Sequence, residues 1–169
     1  MSLPKKQGLY DPANEHDACG IGVVVNIDGI KTNQIVNQAL TVLENLDHRG
    51  ARGSEENTGD GAGILMQLPD KFFREQCKVN GFDLPKLGEY GVGMIYFCHD
   101  EKKRAKLKGM VEAAVEECGQ TVLGWRVSPT SGEDLGQSAR VSMPFIEQIF
   151  IGKSDDIKTN LRLNANYSL

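Results

Sequence analysis

No stretch of the sequence approaches the ~18 consecutive apolar residues of a membrane-spanning helix, and residues 1–18 lack the apolar core of a secretory signal peptide. Positive charge is not in excess either, because 19 lysines and arginines stand against 23 aspartates and glutamates. A nucleic-acid-binding protein usually carries a basic excess. These absences argue against a membrane or nucleic-acid partner and favour a cytoplasmic protein.

Closely spaced cysteines are also absent. The four cysteines lie far apart, form no CxxC pair and have no histidines at matching spacing, which argues against a zinc site. In the cytoplasm they are expected to remain thiols. Three of them fall in or beside apolar helix and strand patterns and are predicted to be small buried hydrophobes: Cys77, Cys98 and Cys118.

The composition is that of one globular domain. The chain has 169 residues, of which 40% are hydrophobic and 25% charged, with a formal net charge of -4. Residues 101–108 contain a cluster of basic side chains. Because aliphatic residues recur at helical spacing just after it, a solvated helix face is favoured over a phosphate-binding patch.

The N-terminal third of the chain changes character at Cys19. Residues 1–18 are polar, contain two prolines and resemble an extended leader. Residues 19–27 are β-branched and apolar, which predicts a strand buried on both faces or nearly so. A helix is then predicted from a cap at Thr32 to Leu46, because apolar residues recur every three or four positions.

The remaining elements are predicted from the same patterns, and their alternation indicates an α/β or α+β layered fold in which a parallel sheet is not excluded. Gly119 is the predicted C-terminal stop of the longest helix. Strands are predicted at residues 64–68, 90–98, 121–127 and 146–151, and helices at residues 71–79 and 101–117.

Two features could carry chemistry. Small neighbours, Ala18 and Gly20, leave the backbone around Cys19 accessible, although a free cysteine is more often a buried hydrophobe. Residues 48–63 form a long glycine-rich connection that lacks the lysine of a phosphate-binding loop and precedes a predicted strand. The residues alone leave an active-site loop and a plain linker equally open.

Four short motifs occur along the chain: residues 16–22 (HDACGIG), 47–50 (DHRG), 58–63 (TGDGAG) and 124–126 (GWR). In order and spacing they resemble the start of the large chain of glutamate synthases, which is a class II glutamine amidotransferase domain. The resemblance covers Gly8 to about Asp156. It implies a four-layer α/β/β/α N-terminal-nucleophile hydrolase fold, of the α+β class.

The same resemblance implies that residues 1–18 are a propeptide and that residues 19–169 are the N-terminal portion of the amidotransferase domain. Cys19 would then be the nucleophile, with its free α-amino group as the base. Arg49, Gly50 and Asp60 would border it in an active-site loop. The substrate is glutamine, whose ammonia would serve glutamate synthesis from 2-oxoglutarate in the complete oxidoreductase.

The groups that bind substrate in the family, among them the oxyanion-hole donors, are expected downstream of this chain. No cofactor or metal site is expected within it, whereas FMN and an iron-sulfur cluster are expected in the synthase region of the complete enzyme. Residues 157–169 depart from the family pattern, so the chain is expected to be truncated and inactive alone. A non-catalytic remnant or interaction module, and an N-terminal-nucleophile hydrolase of another amide, remain alternatives.

Overall fold

The computed structural model describes residues 5–9, 11, 19–50, 55, 57–59 and 61–154. They form helices and one antiparallel sheet, so the α+β class is confirmed. The helices are α1 (Asn33–Asn45), a 3₁₀ helix (Asp47–Arg49), α2 (Asp70–Val79), α3 (Glu101–Glu117) and α4 (Gln137–Ser142), and the strands are β1 (Tyr90–Phe97), β2 (Thr121–Val127) and β3 (Phe145–Gly152).

The described residues divide into two compact units. The first unit comprises the chain up to Gln67 together with Asp134–Val141. The second unit comprises Leu68–Glu133 together with the residues from Ser142 onward. The first unit therefore contains α1 and the 3₁₀ helix, and the second contains the sheet with α2 and α3.

In the first unit, α1 packs against the extended segment that begins at Cys19. A Cβ added at Gly20 would lie 2.7 Å from a methyl group of Leu46, and one at Gly22 would collide with Val42. Glycine at both positions therefore lets the helix approach the extended backbone closely. The predicted cap is only partly correct, because Thr32 occupies the N-cap position but its side chain makes no capping hydrogen bond.

The strand predicted at residues 19–27 does not form. These residues form neither strand nor helix, no described segment pairs with them, and most of them are exposed instead of buried. A β-branched run indicates the preferred backbone conformation, whereas a ladder also needs a neighbouring strand to take its N–H and C=O groups. Residues 64–68, likewise predicted as a strand, form neither strand nor helix.

The second unit is built on a sheet with the order β1-β3-β2, in which β3 is antiparallel to both neighbours. Strands β1 and β2 therefore run parallel to each other, with α3 between them in sequence. This is a split β-α-β arrangement in which the last strand enters the gap. The helices and strands predicted from residue 71 onward are confirmed. Helix α4 was not predicted, because its residues show no recognisable periodic pattern.

The two faces of this sheet bury different side chains. On one face, Phe150 is fully buried and packs against Phe73 and Cys77 of α2. On the other face, Lys108 of α3 pairs with the buried carboxylate of Glu147 at 2.7 Å. The sheet thus has α2 on one side and α3 on the other, because residues 147 and 150 of one strand point to opposite faces.

Both long helices of this unit end at a glycine. Gly119 has a φ of +71°, its N–H donates to the Glu116 carbonyl, and the Gln120 N–H donates to the Val115 carbonyl. This pair of hydrogen bonds is the Schellman motif, which requires a left-handed residue that glycine adopts without strain. The predicted stop at Gly119 is therefore confirmed.

The GWR motif at residues 124–126 is explained by packing within this unit. A Cβ at Gly124 would lie 2.5 Å from the ring of Phe82, so glycine admits that ring onto the sheet. Trp125 points to the opposite face and donates from Nε1 to Glu112 at 2.7 Å. Arg126 is buried and donates to Gln148 at 2.6 Å. The residues of the motif thus make packing and hydrogen-bond contacts on both faces of the sheet.

Candidate active site

Cys19 lies at the start of the extended segment that contacts α1, and it is exposed. Its neighbour Gly20 lies against Leu46, the C-cap residue of α1. This close contact places the backbone of Cys19 near the C-terminal end of the helix.

The chain turns back toward Cys19 directly after α1. The 3₁₀ helix Asp47–Arg49 follows the C-cap without a linker, and the Arg49 N–H donates to the Leu46 carbonyl at 2.7 Å. The tight turn brings the Arg49 side chain to Cys19, where its Nε donates to the Cys19 carbonyl oxygen at 3.3 Å. Two residues separated by 30 positions are thereby joined at the predicted nucleophile.

The other predicted loop residues are placed less directly. The Gly50 N–H donates to the Asp47 carbonyl at 3.2 Å and so closes the 3₁₀ turn that carries Arg49. Asp60, predicted to border the nucleophile, lies outside the described residues. Within the predicted leader, residues 1–4, 10 and 12–18 also lie outside them.

A polar contact that sequence reasoning missed fixes the loop further along. The Glu55 carboxylate accepts hydrogen bonds from the Thr58 hydroxyl at 2.8 Å and from the Ser138 hydroxyl at 2.8 Å. It also accepts from the Ser138 N–H at 3.2 Å. The bonds from Thr58 and Ser138 hold the pKa of the Glu55 carboxyl below its usual range. Nothing in the sequence around Glu55 indicates that its partner is Ser138, which is 83 positions away.

Exposure alone does not single out Cys19 among the four thiols. Cys77 is fully buried, as predicted, and burial raises the pKa of its thiol, although the charge of Arg126 opposes that shift. Cys98 and Cys118 are exposed, so their prediction as buried hydrophobes is wrong. They follow directly after β1 and α3, where an apolar pattern has just ended. The carbonyls of Cys98 and Cys118 also accept side-chain hydrogen bonds, from Arg104 at 3.5 Å and from Gln120 at 3.4 Å. Those donors are near in sequence, whereas the donor to Cys19 is Arg49, 30 positions away.

In the described part of the chain, no group of three histidine, cysteine, aspartate or glutamate side chains is arranged to hold a metal ion. Among these same residues, no helix combines the length and apolar character needed to cross a bilayer.

Comparisons with known proteins agree with the motifs. The family described as class-II glutamine amidotransferases matches residues 19–168, beginning at Cys19 itself. The large chain of the NADPH-dependent glutamate synthase of Bacillus subtilis is 50% identical over 159 residues, which is 94% of this chain and 10% of that protein.

More distant relatives have similar names. The NADH-dependent glutamate synthase of Saccharomyces cerevisiae is 40% identical over 86% of this chain and 7% of its own length. A chloroplastic ferredoxin-dependent glutamate synthase of Arabidopsis thaliana is 34% identical over 94% of this chain and 10% of its own length. The chain thus spans a tenth or less of these curated relatives. The chain belongs to the class II glutamine amidotransferases, in the branch found in glutamate synthases.

Proposed function

We propose that Cys19 is the nucleophile that hydrolyses the side-chain amide of glutamine, and that the ammonia serves glutamate synthesis from 2-oxoglutarate in the complete enzyme. The observation that carries this proposal is the hydrogen bond from Arg49 Nε to the Cys19 carbonyl, at the residue where the family match begins. Arg49 fixes the backbone of the nucleophile, which limits the directions in which its thiol and amine can point.

The proposed base is the α-amino group of Cys19. An ordinary cysteine thiol has a pKa near 8.5 and is mostly protonated at neutral pH, whereas a free α-amine has a pKa of about 7.7 to 8.0 and can accept its proton. While residue 18 is attached, that nitrogen is a peptide nitrogen without basicity. The proposal therefore includes removal of residues 1–18, and the start of the family match at Cys19 supports it.

The reaction then proceeds in two displacements. The Cys19 thiolate attacks the carbonyl carbon of the glutamine side chain, and the C–N bond breaks as the ammonium group returns its proton to the departing ammonia. A water molecule next attacks the thioester, which releases glutamate and restores the thiol. Donors that stabilise the oxyanion are needed in both steps, and we propose that they lie in the remainder of the domain.

The proposal extends to the complete protein. We infer that the whole domain adopts the four-layer α/β/β/α arrangement, and the α+β class of the described elements supports this. The names of the relatives include NADPH, NADH and ferredoxin. FMN and an iron-sulfur cluster would belong to the synthase region, which would be the partner that receives the ammonia. We infer a cytoplasmic location.

The test compares Cys19→Ala with Cys98→Ala and Cys118→Ala, because all three thiols are exposed. In the complete enzyme, Cys19→Ala is expected to abolish ammonia release from glutamine and to leave synthesis from added ammonia largely intact. The two control variants are expected to keep both activities. Retained glutamine hydrolysis in Cys19→Ala would remove this residue from the mechanism, and loss of both activities would indicate a folding defect.

A further inference from the structure

The chain that follows Arg49 is rich in glycine. Residues 48–63 include five glycines, and each glycine gains more backbone freedom on unfolding than any other residue. The Gly50 hydrogen bond to Asp47 fixes only the first turn of this loop. An anchor further along would add to the hold that this turn has on Arg49.

Glu55 provides such an anchor six positions after Arg49. The Thr58 N–H donates to the Glu55 carbonyl at 3.2 Å, and the Thr58 hydroxyl donates to the Glu55 carboxylate, so residues 55–58 form a closed turn. The same carboxylate accepts the N–H and the hydroxyl of Ser138. These are bonds to an ionised acceptor, which are stronger than bonds between neutral groups.

The contact is also shaped by close packing. A Cβ added at Gly136 would collide with the Thr58 hydroxyl and with the Glu55 carboxylate. Glycine at position 136 therefore lets the turn at residues 55–58 approach the start of α4. The hydrogen bonds and the close approach are independent signs that these two segments belong together within the first unit.

We propose that Glu55 is a positioning residue, which clamps the loop to residues 136–138 and so keeps Arg49 on the Cys19 carbonyl. The proposal rests on the glutaminase function proposed above. Glu55 acts through the loop and Arg49, with no role in the proton transfers of Cys19. A loosened clamp would leave substrate binding largely unchanged and would reduce the fraction of molecules in which the nucleophile is aligned.

The experiment compares Glu55→Ala with Glu55→Asp, which keeps the carboxylate on a shorter side chain. Glu44→Ala is the matched control, because Glu44 is an exposed glutamate of α1 in the same unit. Two experiments are done on the complete enzyme. The first is hydrogen exchange of the Gly50 amide, which reports on the turn that carries Arg49, and the second is the measurement of kcat and KM for glutamine.

For Glu55→Ala, exchange at Gly50 is expected to accelerate about tenfold, as for a segment that opens more often. The value of kcat is expected to fall about tenfold while KM changes by less than about twofold. Glu55→Asp is expected to show smaller changes in both the exchange rate and kcat. Glu44→Ala is expected to match the unsubstituted protein. Faster exchange at Thr58 and Ser138, with unchanged exchange at Gly50 and unchanged kcat, would overturn the proposal.

Ser138→Ala provides a second variant if Glu55→Ala does not fold. It removes one hydroxyl donor but keeps the amide donor, so smaller changes in the same direction are expected. Unchanged exchange at Gly50 in folded Ser138→Ala, together with unchanged kcat, would count against the clamp. If the unsubstituted enzyme shows no glutamine hydrolysis, the proposed function fails, whereas exchange at Gly50 still decides whether Glu55 holds the loop.

Discussion

Arg49 donates a hydrogen bond from its Nε to the backbone carbonyl of Cys19 over 3.3 Å, and this bond links the end of the 3₁₀ helix to the start of the extended segment. The acceptor is a main-chain atom, so the arginine holds the backbone of Cys19 by a bond that leaves the thiol unoccupied. Such a contact suits the proposed reaction, in which both the thiol and the amine of Cys19 take part.

Replacing Arg49 is therefore expected to impair glutamine hydrolysis. Arg49→Ala should lower kcat by about ten- to a hundredfold, because the backbone of Cys19 loses its fixed orientation. Arg49→Lys should lose less, since an ammonium group can still donate one hydrogen bond but lacks the planar fork of arginine. Lys31→Ala, which removes an exposed positive charge from the same unit, is the control. Equal rates in Arg49→Ala and Lys31→Ala would contradict the expected role.

Cys19 is expected to be the most reactive of the four thiols once its α-amino group is free, because that amine can take the thiol proton. Alkylation with iodoacetamide followed by peptide mapping measures each thiol in the same molecule. Cys98 and Cys118 are the informative comparisons, since they share its exposure, whereas Cys77 should react last because it is buried. Labelling of Cys98 or Cys118 as fast as Cys19 in processed, folded protein would contradict this prediction.

Gly124→Ala is expected to destabilise the second unit by about 1–3 kcal/mol, because the added methyl group would overlap the Phe82 ring in a packed core. Gly91→Ala in β1 is the matched control, since a Cβ there meets no atom within 4 Å. Urea unfolding of both variants measures the difference in free energy. A loss of stability in Gly91→Ala as large as that in Gly124→Ala would show that the cause is a general effect of strand glycines.

Local patterns predicted the elements of the second unit well, and the reason is visible in α3. Its length, its acidic N-cap at Asp100 and its stop at Gly119 depend on neighbours in sequence. The contact between Glu55 and Ser138 spans 83 positions, so no local period could predict it. Residues 19–27 show the converse case, because their composition favours an extended chain but cannot supply a partner strand. At the site, Cys19 and Arg49 could be predicted from sequence motifs. The contacts of Glu55 could be found only in the folded structure.

Stability is expected to decrease in alkaline solution as Tyr90 ionises. Tyr90 is only 6% exposed and its hydroxyl donates to Asp70 at 2.9 Å. Burial first, and then Asp70, raise the pKa of Tyr90 to about 12, with Cys77 adding to the shift and Arg74 opposing it. Between the ordinary tyrosine value of about 10 and this raised value, the unfolded chain loses the proton and the folded chain keeps it. The free energy of unfolding should therefore fall as pH rises through this window.

Tyr90→Phe removes the ionisable group and separates its effect from that of other alkaline titrations. The variant is expected to be less stable at neutral pH, since Asp70 loses a hydrogen bond, but to lose less further stability at alkaline pH. Unfolding curves for both proteins across the window give the comparison. Parallel pH dependence in the two proteins would show that Tyr90 does not control the alkaline loss.

The apolar side of residues 19–27 is expected to make the isolated chain associate in solution. Ile21, Val23, Val25 and Ile27 alternate along an extended segment, so they share one side of it, and they are between 72 and 98% exposed. A contiguous apolar strip of this kind favours association, whereas a single exposed apolar residue does not.

A double variant in which threonine replaces both Val23 and Val25 should shift the chain toward the monomer in light scattering. The control is Val141→Thr, because Val141 of α4 is also 83% exposed. Association that is equally reduced by the control, or a monodisperse monomer in the unsubstituted chain, would contradict the prediction.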